Sequence, residues 1–310
     1  MIINNSLFPN SFFEEETRCD YQISTKEKKI WAVQLDLLNE LLRVCQKHGI
    51  KIVVFAGTLL GAVRHNGFIP WDDDIDVAMD RENYEKLLRI APEEFEYPYF
   101  LQTGYNDQLF FLNYARFRNS DTTCIISWNR SDDYNNGIYI DVFVLDGFPD
   151  DKDKYDDYIK CKEKLERLIS FYKYKDNCNI VKKVLKSGLR HLLQKVVSYD
   201  KLLDVYNAHL CKYSGTSNKI GLLTHPESFR KRYWLYKEEL ENIVYLDFET
   251  LKVPVPANYD EILKRTYGNY MEFPPVEKRG TWHEGYFEMD PDTPYKEYFK
   301  KLYENEENGK

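Results

Sequence analysis

Residues 68–79, FIPWDDDIDVAM, set four aspartates into the five positions Asp72–Asp76 and then turn directly into the apolar run Val77, Ala78 and Met79. Whatever fold the chain adopts must carry this charge to the edge of a buried element. If residues 72–76 run extended, Asp72, Asp74 and Asp76 point to one side and Asp73 to the other. Like carboxylates held that close repel unless water, protons or cations compensate. A divalent cation with oxygen ligands does so directly. A solvated acidic turn is the competing reading, but it has no need of the apolar continuation. An EF-hand is ruled out, because the loop lacks the required glycine and the distal bidentate glutamate.

The flanking segments point to a mixed α/β unit. From Ser24 to Gly49 the sequence reads as a helix, with Ser24 and Glu27 at capping-box spacing and Ile30, Val33, Leu37, Leu41 and Val44 on one face. IKIVVFAG is a short buried strand, and GTLLGAVRHNG a glycine-bounded turn or short helix. DIDVAM begins a second strand, Asp80 caps the helix that follows, and Pro92 closes it. NYARFRNS and GIYIDVFVLDGFP supply two more strands. Between residues 151 and 213 the pattern turns helical. A hairpin, IVYLDFETLKVPVP, and a short capped helix, NYDEILKRTYG, come near the end. The expected organisation is a peripheral segment over 1–23, a catalytic domain over 24–290 with a helical insertion near 151–213, and a peripheral tail over 291–310.

Two further features bear on the acids. Gly57 and Thr58 follow an apolar strand, so their amides can hold phosphate oxygens at a helix start, with Arg64 compensating ligand charge. The glycine pattern matches neither a P-loop nor a Rossmann fingerprint. Asp141 lies between Ile140 and Val142, where a carboxylate is costly without a counter-charge or hydrogen bonds. It either completes a carboxylate set with Asp74 and Asp76, accepts a proton from an attacking hydroxyl, or pairs structurally with an arginine. Asp146, nearer the following turn, reads as local structure.

A net charge of −8 disfavours a duplex-binding role. The six cysteines are scattered without a CxxC pair, so a reducing compartment fits and a zinc knuckle does not. The first twenty residues lack a basic region followed by an apolar core, and no apolar run reaches the roughly 18 residues of a membrane span. A cytoplasmic location is expected. The stretch from Asn179 to Tyr199 has no acid but carries Lys182, Lys183, Lys186, Arg190 and Lys195. It fits either attachment to the inner face of an anionic membrane or a packed helix with a solvated basic side.

Taken together, FAGTLLGAVRHNGFIPWDDDIDVAM, GIYIDVFVLDGFP and YGNYMEFPP with the later His283 resemble the LicD family, which includes bacterial phosphocholine transferases and is related to fukutin-related ribitol-phosphate transferases. The likeness spans roughly residues 24–290. It implies a nucleotidyltransferase-like mixed sheet with flanking helices. It also implies Mg²⁺- or Mn²⁺-dependent transfer of a phospho-alcohol, phosphocholine from CDP-choline foremost, to a sugar hydroxyl of a surface glycan or teichoic-acid precursor, releasing CMP. Carried over by position, Gly57–Thr58 match the phosphate-orienting turn, and Asp74 and Asp76 the metal-binding pair, with Asp72 leading into it. Asp141 matches the third acid, a metal ligand and candidate base. Arg64 and His65 match the basic pair, and Tyr267, Gly268 and His283 fall in the later motif region. Trp71 is expected on the cleft wall and, with Trp128, Tyr134 and Trp282, is a candidate reader of a choline cation. No cysteine set matches the zinc motif of some relatives, so no structural zinc is expected. A CTP-dependent nucleotidyltransferase and a silent glycan-assembly protein are the alternatives. Expected partners are thus a CDP-alcohol and a glycan or lipid-linked glycan acceptor, not nucleic acid.

Overall fold

The acidic stretch sits on a seven-stranded mixed sheet in the computed structural model, which describes residues 7–107, 109–110, 112–127, 131–173, 193, 195–280 and 287–308. In chain order the elements begin with β1 (Glu16–Arg18), β2 (Tyr21–Ile23), α1 (Thr25–Lys47), β3 (Val53–Val54), α2 (Ala56–His65), β4 (Asp76–Asp80) and α3 (Arg81–Glu94). Then come β5 (Tyr99–Gln102), β6 (Ala115–Asn119), β7 (Thr123–Ile126), β8 (Ile138–Gly147), α4 (Lys152–Lys173), α5 (Tyr199–Leu210) and β9 (Lys219–Gly221). The last are α6 (Glu227–Arg230), β10 (Trp234–Tyr236), β11 (Ile243–Phe248), β12 (Leu251–Pro256), α7 (Tyr259–Tyr267), β13 (Phe287–Asp290) and α8 (Tyr295–Asn308).

Strand β8 is the axis of the sheet. Antiparallel β6 pairs with its residues 138–142, β4 pairs in parallel with 141–145, and its last two residues pair with β9. Strand β3 extends the sheet beyond β4, β5 beyond β6, and β10 beyond β9. Every residue of β8 is buried, as expected for a central strand covered on both faces. Together with the flanking helices this is the α/β arrangement of a nucleotidyltransferase-like fold.

Local chemistry explains several element boundaries. Ser24 and Glu27 form the expected capping box of α1, and Gly49, at φ +60°, turns the chain into the next strand. The Asp80 side chain accepts the Asn83 amide at the start of α3. Pro92, expected to close α3, lies inside its last turn, and the helix continues to Glu94. Asn258 does not cap α7 with its side chain, which instead donates to Glu239. The hairpin β11–β12 forms in register from Ile243 opposite Pro256 to Phe248 opposite Leu251.

Helix α1 packs against the sheet, and Trp31, Leu35 and Leu38 join Val77, Val142 and Phe117 in one core. Residues 7–23, read as peripheral, add Phe8, Phe12 and Ile23 to that core. Helices α4 and α5 pack on each other around Tyr158, Ile169, Leu203 and Tyr206, which form a second buried cluster. Beyond residue 290, Tyr295 and Phe299 of α8 pack on Ile125 of β7. The basic positions Lys182, Lys183, Lys186 and Arg190 lie outside the described residues.

Candidate active site

The sheet register assembles the centre of the site. Asp76 on β4 is the cross-strand partner of Asp141 on β8, and Asp141 is the partner of Arg116 on β6. Partner positions share a face, so the three side chains form a row across adjacent strands. The Arg116 Nε donates to Asp141 Oδ1 at 2.7 Å, and its guanidinium lies 3.6 Å from the Tyr139 ring centroid. The counter-charge that a buried Asp141 demanded is therefore Arg116.

Ahead of that row, the chain is not a strand until Asp76. Residues 72–75 belong to no regular element, and carboxylate oxygens of Asp72, Asp73 and Asp74 all lie within 4.8 Å of one another. Alternation, which would set Asp73 apart, does not apply here. Helix α1 holds this segment: Trp31 Nε1 donates to the Asp72 carbonyl at 3.2 Å, and Gln34 Nε2 to the Asp73 carbonyl at 2.7 Å.

Burial, with Asp73 and Asp76 close by, pushes the Asp72 carboxyl up to about 7. Burial, with Asp74 and Asp141 adding repulsion, holds Asp76 well above the ordinary carboxylate range, and Arg116 only partly offsets this. Three carboxylates that converge beside Asp76 suit a hard divalent cation such as Mg²⁺ or Mn²⁺. Among the described residues, no second convergence of three or more His, Cys, Asp or Glu side chains is present.

The start of α2 adjoins the acids. Thr58 Oγ1 accepts the Asp76 amide at 2.8 Å, so its hydroxyl ties the helix to the strand. A β-carbon on Gly57 would lie 3.0 Å from Asp72 Oδ2, so a larger residue here would press on that carboxylate. The free amides of this first turn therefore begin beside the carboxylates.

The other expected residues form a neighbouring group. Arg64 donates to the Tyr270 carbonyl at 2.7 Å and to His65 at 2.9 Å, and it lies over Phe273. Burial, reinforced by Arg64 and Arg18, lowers His65 to about 4 and leaves it uncharged at neutral pH. Trp71 is buried against Tyr21, His65 and Phe273, with the Arg279 guanidinium 4.9 Å from its ring centroid. That face thus already carries a cation. Tyr134 is buried, while Trp128, Trp282 and His283 lie outside the described residues.

Arg116, Tyr114, His225 and Tyr233 were not singled out from the sequence. Tyr114 and His225 stack at 5.2 Å, and burial lowers His225 to about 4. The Tyr233 and Tyr267 hydroxyls lie 3.2 Å apart, and after burial the charges of Asp76 and Asp72 add to the upward shift of both. A signal for Arg116 was present: ARFRN alternates basic with apolar residues on a strand, beside a buried acid in need of a partner.

Residues 49–167 match the family described as LicD/FKTN/FKRP, nucleotidyltransferase domain. That span includes α2, the acid loop, β4, β6 and β8, so the likeness to this family falls on the part of the chain that carries the site. Lipopolysaccharide cholinephosphotransferase LicD of Haemophilus influenzae is 27% identical over 269 residues, covering 84% of this chain and 97% of that protein. Uncharacterized protein RP689 of Rickettsia prowazekii is 33% identical over 132 residues, covering 42% of this chain and 44% of its own length.

Proposed function

We propose that the chain is a divalent-metal-dependent transferase that moves a phospho-alcohol from a CDP-alcohol to a sugar hydroxyl of a cell-surface glycan precursor, releasing CMP. The observation that carries this reading is the register pairing of Asp76 with Asp141 beside the converging carboxylates of Asp72–Asp74. These acids would hold the cation, with Asp74, Asp76 and Asp141 as the principal ligands. When bound, Mg²⁺ or Mn²⁺ supplies charge neutralisation for the donor diphosphate and the leaving CMP.

The protein's own groups do the positioning. The first-turn amides of α2 offer donors to phosphate oxygens, and Thr58 keeps that turn against Asp76. Arg116 occupies one oxygen of Asp141 and leaves the other to orient a cation or the acceptor hydroxyl. No covalent enzyme intermediate is needed.

Phosphocholine is the first group to test. A run of rings from Tyr114 through Phe143, His225, Phe229 and Tyr233 to Tyr267 adjoins the acids, and aromatic faces beside carboxylates favour a quaternary ammonium. The cholinephosphotransferase named among the relatives supports the same choice. Purified protein should release CMP from CDP-choline when Mg²⁺ or Mn²⁺ and a glycan-precursor acceptor are supplied, with phosphocholine appearing on the acceptor. CMP release only from CDP-ethanolamine, CDP-glycerol or CDP-ribitol would change the alcohol and keep the chemistry. Pyrophosphate release from CTP would replace the proposal with nucleotidyl transfer.

A further inference from the structure

Arg116 is a fixed positive charge set among carboxylates. It stands at the second position of β6, is only 5% exposed, and reaches Asp141 through Nε. Its Nη1 is buried and has no hydrogen-bond partner among the described residues. A guanidinium placed for packing alone is expected to have its buried donors satisfied. The contrast with Arg118, two residues on and on the same face, makes the point. Arg118 donates through Nε to Gln102 and through Nη1 to the Gly137 carbonyl.

We infer that Arg116 is a positioning residue that acts as the resident counter-charge of the acid cluster. It keeps Asp141 beside Asp76 when no divalent cation is bound, and its charge sets how tightly the cluster takes that cation. The inference rests on the proposed cation site. Arginine stays charged at any physiological pH, so it cannot step aside as a lysine or histidine can. A cation beside Asp141, two strands from Asp76, stabilises the crowded carboxylates of the empty site. The same charge opposes an incoming dication, so stability without metal is gained at the expense of affinity.

Full-length protein stripped with EDTA and titrated with Mn²⁺ tests this, by thermal unfolding and by direct Mn²⁺ binding. Metal-free Arg116→Gln should melt about 10 °C below the parent protein, as expected when one partner of a buried pair is removed. It should bind Mn²⁺ roughly tenfold more tightly, because a repelling charge has gone. Arg116→Lys, which keeps the charge, should hold Mn²⁺ about as the parent does. Equal or weaker Mn²⁺ binding by Arg116→Gln, where the parent binds, would overturn the inference and leave the cation site standing. An absence of Mn²⁺ binding by the parent would overturn the site itself, and the inference with it. If Arg116→Gln does not fold even in Mn²⁺, the double variant Arg116→Gln/Asp141→Asn decides. Losing both halves of the pair should restore folding in EDTA, and a double variant that stays unfolded would assign Arg116 to packing and reject the counter-charge role.

Discussion

Strand β8 carries two buried aspartates five positions apart, and their surroundings are opposite in kind. Asp146, 1% exposed, takes two hydrogen bonds from Arg81, at 2.8 and 2.5 Å, and a third from Ser214 at 3.2 Å. Asp141 faces the other side of the sheet, takes, among the described residues, one side-chain hydrogen bond, from an arginine that keeps a free donor there, and sits beside a second carboxylate. The first arrangement is closed: its charges cancel and its lone pairs are used. The second is open and electrically unfinished, as expected of a group kept for a ligand. Burial alone does not distinguish a structural acid from a functional one; the completeness of its partners does.

The comparison can be broken by exchanging the two effects. Asp141→Asn keeps an oxygen for Arg116 and relieves repulsion on Asp76, so it should remain folded while turnover falls about 1,000-fold or more, roughly 4 kcal/mol of barrier. Single-turnover CMP release alongside a melting curve would show this, and retained turnover would make Asp141 another structural acid. Asp146→Asn should do the reverse. Loss of the buried Arg81 pair should cost about 3–5 kcal/mol of stability in denaturant unfolding, with turnover per folded molecule unchanged.

Thr58→Val tests the link between α2 and β4. Losing the acceptor for the Asp76 amide should cost about 1–2 kcal/mol and slow turnover severalfold, with Thr58→Ser restoring both. A further test is the effect of pH on the metal-free protein. Asp72 and Asp76 have raised carboxyls in the folded state, so the folded form binds more protons than the unfolded one, and stability falls as pH rises from about 4 towards about 7. Melting in EDTA should show that fall, and saturating Mg²⁺ should flatten it. A melting temperature that climbs through this window in EDTA would remove the electrostatic crowding from the account.

What could be read in the sequence was local. The capping box at Ser24 and Glu27, the Asp80 cap, the β11–β12 hairpin and the need of Asp141 for a partner all depend on neighbours along the chain. The identity of that partner does not, because Arg116 meets Asp141 only through the antiparallel register of β6 on β8. Residues 72–75 are likewise held from outside, by Trp31 and Gln34 on α1, and strand alternation misassigned Asp73, which converges with Asp72 and Asp74. Strands β9 and β10, three residues each, were too short to show any periodicity.

The contacts behind the acid loop bear on how the protein can be divided. Glu249, in the turn between β11 and β12, accepts the Phe68 amide at 3.1 Å and an Arg18 side chain at 2.5 Å, so one residue clasps the entrance to the loop and the first hairpin together. Trp31, Gln34, Arg18 and Glu249 all lie outside residues 49–167, the span that carries the family signature. The signature is therefore not a detachable module. A fragment trimmed to it would keep every aspartate of the site and lose the scaffold that aims them, so minimal versions of this protein have to be cut around the clasp and not around the motif.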